Sequence, residues 1–282
     1  MRHILAVVCL ISSIQLSAQT QFMPISVAQA RELATAQGSF IVLDFYATWC
    51  GPCTRMDMDT WSQPEVQAAQ QSFVNVRVDA TTNTAAILQQ YNLKGIPALI
   101  IQDADGKEYF RRMGLMTTQE VLSVLADFPT DMRGPYAADY VARDQPAAFN
   151  SHFLRGRHCQ QAARAASGSV RGKLATTSTD ALEEASAILS EKSDIPISLQ
   201  ERIDLMVIEN LLLRGRSKKV LKELAFLDAE LDAKNEALAC YIRGLAYHHT
   251  NRPELADECY SALREAVDNA EYLALYEATV RE

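Results

Sequence analysis

A chain of 282 residues, 48% apolar and 22% charged, is long enough for two globular cores at about 150 residues per domain. Its 11 glycines and 9 prolines exclude collagen-like and low-complexity sequence. With 27 Lys and Arg against 35 Asp and Glu, the formal charge is −8, so no global basic field is present to hold nucleic acid.

The first residues read as a secretory signal. Arg2 and His3 give a positive start, Ile4 to Ile14 an apolar stretch, and Leu16-Ser17-Ala18 a small-residue cleavage end. The apolar stretch is too short for the roughly 20 residues of a spanning helix. Residues 1–18 are therefore expected to be a signal peptide, and the protein to be periplasmic or otherwise exported and soluble after cleavage. Loss of Cys9 leaves Cys50, Cys53, Cys159, Cys240 and Cys259 in an oxidising compartment.

Helix and strand patterns alternate from residue 25 to 128, as in an α/β domain. Ser26 is placed to cap a helix running to about Gln37, with Gly38 as its stop. Phe40 to Ala47 is an apolar run interrupted by Asp44, the pattern of a strand buried on both faces. A helical segment follows from Cys53 to about Trp61, and Ser62-Gln63-Pro64-Glu65 suggests a capping box for the next helix. Phe73 to Asp79 alternates as a strand, and about Thr84 to Tyr91 is helical. Ala98–Ile101 and Glu108–Met113 are joined through Asp103-Ala104-Asp105-Gly106, a hairpin signal. A helix over Thr118–Phe128 closes the unit, and Pro129 with Gly134-Pro135 marks a boundary near 131.

The remainder lacks strand patterns and carries 3.6-residue periodicity, as over Ala181–Leu189 and Ile203–Leu213. An all-α second domain is expected over 131–282, after an α/β domain over 19–130. Gly244, Tyr247, Ala256 and Tyr260 stand at the small and aromatic positions of a tetratricopeptide repeat. Repeat-like helical hairpins are accordingly expected near 203–270. Cys159, Cys240 and Cys259 read as small apolar helix residues, and His152, His158, His248 and His249 have no acidic ligand at a telling offset. No metal site and no separate cofactor are expected.

Trp49-Cys50-Gly51-Pro52-Cys53 directly follows the buried strand and opens a helix. Cysteines three apart in a first helical turn bring their sulfurs within disulfide range, and the free amides there stabilise a thiolate on the first. Cys50 is expected to be the exposed nucleophile and Cys53 the more buried resolving thiol. Half of a zinc site would need a second Cys or His pair nearby, and none occurs. A purely structural bridge would close almost no loop and constrain the unfolded chain little.

Asp44, Trp49-Cys50-Gly51-Pro52-Cys53, Gly95-Ile96-Pro97 and Gly114 together resemble the thioredoxin superfamily over residues 25–128. Leu43 to Cys50 and Thr60 to Gln67 resemble more specifically the periplasmic thioredoxin-like domain of DsbD-type thiol:disulfide interchange proteins. The resemblance implies a thioredoxin-like fold and a thiol-disulfide oxidoreductase whose redox group is the Cys50–Cys53 pair itself. Cys50, Cys53 and Asp44 take the catalytic roles, Asp44 being the buried acid that accepts the Cys53 proton. Trp49, Gly51, Pro52, Ile96 and Pro97 take the substrate-binding roles, with Pro97 as the cis-proline facing the dithiol and the Ile96 backbone free to pair with an extended substrate. The family's cation beside the acid falls at Asn75 here, and Thr54 stands where a Lys is common, with Arg55 next to it. The implied partners are disulfide-containing client proteins, and the resemblance admits a membrane electron donor.

Gly51-Pro52 resembles the dipeptide of reducing thioredoxins, whereas strong oxidants carry His between the cysteines. A potential near −270 mV rather than −120 mV corresponds to about 7 kcal/mol for a two-electron couple, enough to set direction. Reduction of protein disulfides is the expected activity. An oxidase or isomerase, or a redox-sensing adaptor that binds partners through the helical half, are the alternatives.

Overall fold

Ser26 accepts the Gln29 N–H while the Gln29 side chain accepts from the Ser26 backbone, a reciprocal cap that starts α1 (Val27–Gln37). Gly38 ends it in the left-handed region at φ +69°. The computed structural model describes residues 22–191, 196–227 and 231–280; the expected signal peptide lies outside the described residues. β1 (Phe40–Tyr46) follows, then α2 (Gly51–Met56), which continues as a π-helical turn over Asp57–Trp61. α3 (Pro64–Gln70), β2 (Phe73–Asp79), α4 (Thr84–Gln90), β3 (Ala98–Gln102), β4 (Glu108–Met113) and α5 (Thr118–Ala126) complete the first unit.

The sheet runs β2-β1-β3-β4, with β1 parallel to β2 and antiparallel to β3, and β3 antiparallel to β4. β1 is central and buried up to Tyr46, which is why its sequence reads as a nearly unbroken apolar run. The expected capping box at Ser62–Glu65 does not form. Gln63 is the residue before α3 and makes no side-chain cap, and the Ser62 hydroxyl instead donates to the Met58 carbonyl in the preceding π turn. Pro64 in the first turn supplies the start on its own, since its missing N–H is not needed there.

The rest is helical: α6 (Arg133–Asp144), α7 (Phe149–Ala165), α8 (Gly168–Ser190), α9 (Ile197–Leu213), α10 (Ser217–Leu227), α11 (Glu236–His249), α12 (Pro253–Glu265) and α13 (Ala270–Val280). Gly134-Pro135, read in the sequence as punctuation, sits in the first turn of α6, where proline is tolerated. Gly38 also admits α6 against the α/β unit, because a Cβ there would lie 2.3 Å from Arg133 Cγ. The Met132 N–H donates to the Gly38 carbonyl at 2.7 Å, and the Tyr136 hydroxyl donates to the Ser39 carbonyl at 3.0 Å.

One apolar core runs from the sheet through Phe128, Met132 and Tyr136 to Ala162, Ala163, Val170, Leu174 and Ala175 of α7 and α8. Alanines along α7 and α8 let those helices approach closely. A second core begins at Leu182 of the same helix α8 and extends to Tyr276. At about 1.5 Å per residue, α8 is long enough to serve both. Lys173 of α8 donates to the Glu108 and Tyr109 carbonyls and thereby closes the β4 edge. In the second core, successive helices from α8 to α13 pack on one another. Gly244 of α11 faces Tyr276 and Cys259, where a Cβ would lie 2.7 Å and 3.2 Å from their atoms. Cys159, Cys240 and Cys259 are all buried in helices, as expected of small apolar helix residues.

Candidate active site

Cys50 and Cys53 form a disulfide with Cα atoms 5.2 Å apart. Cys50 is the residue immediately before α2, and its Sγ accepts the Cys53 backbone N–H at 3.2 Å. Pro52 in the first turn lacks an N–H of its own, which leaves the Cys53 amide to point at the sulfur. The expectation of an exposed Cys50 is corrected: the residue is 5% exposed, against 3% for Cys53. Its sulfur is turned inward toward Cys53, and the pair packs with Ala47, Tyr46 and Ile96. The surroundings are nonetheless open. Gly51 and Pro52 are exposed, Trp49 is 61% exposed, and a Cβ on Gly51, Gly95 or Gly114 would touch nothing within 4 Å.

Two loops frame the disulfide. The Trp49 indole donates to the Thr81 carbonyl at 3.3 Å, and the Thr48 N–H donates to the Thr81 hydroxyl at 3.0 Å. Thr81 is itself fixed by Asp79, whose carboxylate accepts the Thr81 N–H at 2.7 Å. Sequence reasoning misses Thr81, although Asp79-Ala80-Thr81 after a strand has the form of a side-chain-capped turn. On the other side the Ile96–Pro97 peptide is cis, Ile96 is half-buried, and the Pro97 carbonyl accepts the Gly114 N–H at 2.8 Å. β3 begins only at Ala98, so the Ile96 backbone lies outside the sheet ladder.

Asp44 is 2% exposed. Two residues from Tyr46 on the same strand, it lies on the same face as that ring. Its cation is not at position 75. The Asn75 side chain is buried and donates to the Gln70 and Phe73 carbonyls at 2.9 and 3.1 Å. The parallel register instead sets Asp44 opposite Arg77, whose guanidinium reaches Asp44 at 2.9 Å and also pairs with Asp57. The guanidinium lies over the Tyr46 ring, 4.2 Å from its centroid. Asp57 directly follows α2, and its N–H donates to the Cys53 carbonyl. Arg77 therefore ties the buried acid of the central strand to the end of the cysteine-bearing helix. Alternation of Val74, Val76 and Val78 with polar residues marked Arg77 as polar, and only the strand register identifies its partner.

Burial pushes the Asp44 carboxyl up from 3.8 to about 6, with Arg77 opposing that rise and Asp57 adding to it. Such a group changes charge near neutral pH and can take or give a proton there. Burial pushes the Cys159 thiol up to about 12, so that cysteine is an inert core residue. Among the described residues no three His, Cys, Asp or Glu side chains converge as a ligand set for a metal ion.

A family model described as thioredoxin-like matches residues 21–104. The α/β unit is a thioredoxin-like domain. Over 81 residues the chain is 42% identical to the thiol:disulfide interchange protein DsbD of Cronobacter sakazakii, covering 28% of this chain and 14% of that protein. The DsbD of Citrobacter koseri is 36% identical over 100 residues, or 34% of this chain and 18% of that one. The chain thus spans less than a fifth of the length of these curated relatives. Among solved structures, the reduced C-terminal domain of Neisseria meningitidis DsbD is 28% identical over 35% of this chain and 89% of that chain, with a TM-score of 0.32. The matched family segment includes Asp44, Cys50, Cys53, Ile96 and Pro97, so the thioredoxin-like domain holds the dithiol and its buried acid together.

Proposed function

We propose that this protein is an exported thiol-disulfide oxidoreductase that reduces protein disulfides through Cys50 and Cys53. The observation that carries the proposal is the Cys53 amide aimed at the Cys50 sulfur from the first turn of α2. A donor held there favours the thiolate over the thiol. Trp49, next to Cys50, is 61% exposed, and Met113 and Leu115, which flank the Gly114 bonded to Pro97, are 41% and 37% exposed; such apolar surface suits an unfolded or extended client segment.

In the proposed reaction the Cys50 thiolate attacks one sulfur of a client disulfide, and the other client sulfur leaves as a thiolate that takes up a proton. The Cys53 thiol gives its proton to Asp44 and attacks the Cys50 sulfur of the mixed disulfide. The client's second sulfur leaves as a thiolate and is protonated in turn, and the Cys50–Cys53 disulfide is formed. Two electrons pass to the client, and a dithiol donor must return them. Gly51 and Pro52 leave the approach to Cys50 open, and the Ile96 backbone beside Pro97 takes the client segment as an added strand. Export rests on residues 1–18. Among the described residues no helix is long and apolar enough to cross a membrane. The helical half, tetratricopeptide-like near 203–270, is proposed to hold a partner.

Insulin reduction by dithiothreitol, followed by turbidity, tests the activity. The wild-type chain should accelerate precipitation and Cys50→Ser should fall to the uncatalysed rate; equal rates would end the proposal. Cys53→Ser should accumulate mixed disulfides with client proteins. Equilibration with glutathione tests direction: a value near −120 mV, that of a strong oxidant, would replace reduction with oxidation.

A further inference from the structure

Away from the dithiol, α7, α9 and α13 enclose a cavity of about 180 Å³ whose wall carries three arginines, Arg157, Arg164 and Arg202. Their states differ. Arg164 is committed, its guanidinium forked onto the fully buried Glu209 at 2.7 and 2.8 Å and reaching Glu271 at 3.1 Å. Arg202 donates to the Tyr272 hydroxyl, with its guanidinium carbon 5.4 Å from that ring's centroid. Arg157 is exposed. Neither Arg157 nor Arg202 forms an ion pair with a carboxylate among the described residues. Three guanidinium groups therefore meet two carboxylates, Glu209 and Glu271, around one small cavity, a local excess of one positive charge in a chain whose net charge is −8.

Gln160 in the cavity wall leads into a buried polar network behind it, at a place where apolar packing would be cheaper. Gln160 donates to the Met206 carbonyl at 2.7 Å and to Asn210 Oδ1 at 2.9 Å. Asn210 donates to Ser178 Oγ at 2.9 Å, and Ser178 donates to the Gly156 carbonyl at 2.7 Å. Gln160, Ser178 and Asn210 are all buried. A satisfied network of this kind fixes the mutual positions of α7, α8 and α9, and with them the backbone positions from which the three arginines project. A framework of helices fixed before a ligand arrives is a property of binding sites.

We propose that this cavity is a receptor for a peptide carboxylate, held by Arg157 and Arg202 above the fixed charge of Arg164. Planar guanidinium forks match carboxylate geometry, and two of them leave a doubly hydrogen-bonded anion. The volume selects the size of the occupant: it is smaller than the roughly 300 Å³ at which drug-sized pockets begin, and accommodates one carboxylate-bearing group. Phe153 and Met206 in the wall supply apolar contact for the atoms next to that carboxylate. Glu271, also in the wall, is engaged by Arg164. A chain terminus and an Asp or Glu side chain present the same chemistry. The site lies outside the redox centre, and the proposal stands whether or not that centre reduces disulfides.

Isothermal titration calorimetry on the full oxidised chain tests it, with acetyl-Ser-Gly-Ser-Leu-Phe as free acid, the same peptide as C-terminal amide, and an amidated version with Glu in place of the central Gly. The free acid or the Glu peptide should bind at least tenfold more tightly than the plain amide; which of them does identifies a terminus or a side chain as the source. Arg157→Gln and Arg202→Gln should each weaken that binding at least tenfold while leaving insulin reduction unchanged, and Arg157→Gln, at an exposed position, should also leave the melting temperature unchanged. Equal binding of acid and amide peptides, no binding by any of them, or unaltered affinity in both variants would overturn the assignment. Displacement of the peptide by equimolar inorganic phosphate would also overturn it, by showing an unspecific anion site.

Discussion

Replacing Asp44 by Asn should stabilise the thioredoxin-like domain at neutral pH and lose that effect in acid. The Asp44 carboxyl is held at about 6 in the fold against an ordinary value of 3.8, chiefly because burial disfavours its charge. Below 3.8 the acid is neutral in both the folded and unfolded states and contributes nothing. Between 3.8 and about 6 the unfolded chain gives up a proton that the folded chain keeps, so stability falls as pH rises through this window. Above it the full penalty is present, on the order of 3 kcal/mol. Asn removes the penalty, and its buried amide NH2, an imperfectly paired donor, returns about 1 kcal/mol. The expected net gain is about 2 kcal/mol at about pH 7.5, turning into a small loss near about pH 4. Asp103 is also held at about 6, again first by burial, but it is common to both proteins and cancels in the difference. The chain has 2 tryptophans, Trp49 and Trp61, both in this domain, so urea unfolding followed by tryptophan fluorescence reports on it selectively. A variant no more stable than wild type at neutral pH, or one offset equally in acid and at neutrality, would refute the idea that this carboxylate is kept at a cost to the fold. Its retention would then need a reason other than proton transfer.

Arg77→Gln removes the cation that opposes burial at Asp44, so the midpoint for that carboxyl should move further up by at least about 1 pH unit. A carbon-detected NMR titration of the Asp44 side chain checks it, and an unmoved midpoint would show that Arg77 is merely structural. Glu209→Gln strands the Arg164 guanidinium, which has 14% side-chain exposure, with Glu271 alone; a loss of about 3 kcal/mol in helical stability is expected from far-UV circular dichroism in urea. Gly244→Ala gains up to about 1 kcal/mol of helix propensity but sets a methyl 2.7 Å from the Tyr276 ring. Overpacking should prevail, lowering stability by about 1–2 kcal/mol, and a raised melting temperature would contradict the close approach of α11 and α13.

What could be read from the chain divides along the range of the interactions involved. The dithiol helix, the Ser26 cap, the Gly38 stop and the β3–β4 hairpin depend on residues a few positions apart, and sequence spacing carries that information. Asp44 was legible as a buried acid because a single carboxylate interrupts an otherwise apolar strand. Its cation was not, because the choice between Asn75 and Arg77 is a matter of register between β1 and β2, and a shift of two residues preserves the alternation of apolar and polar positions. The inward turn of the Cys50 sulfur was hidden for a related reason: burial of that residue comes from Ile96 and Tyr46, brought in by two different strands or their approaches. The three arginines of the helical half are equally hidden in the sequence. Arg157 and Arg164 are seven apart on α7 and share a face, but Arg202 joins them only through the packing of α9. In this protein the residues that carry the reactive atoms are local in sequence, whereas those that set charge around them are assembled by the fold. A motif search finds the first group, and substitutions of the second, at Arg77 and Arg202, ask whether the fold does more than display the dithiol.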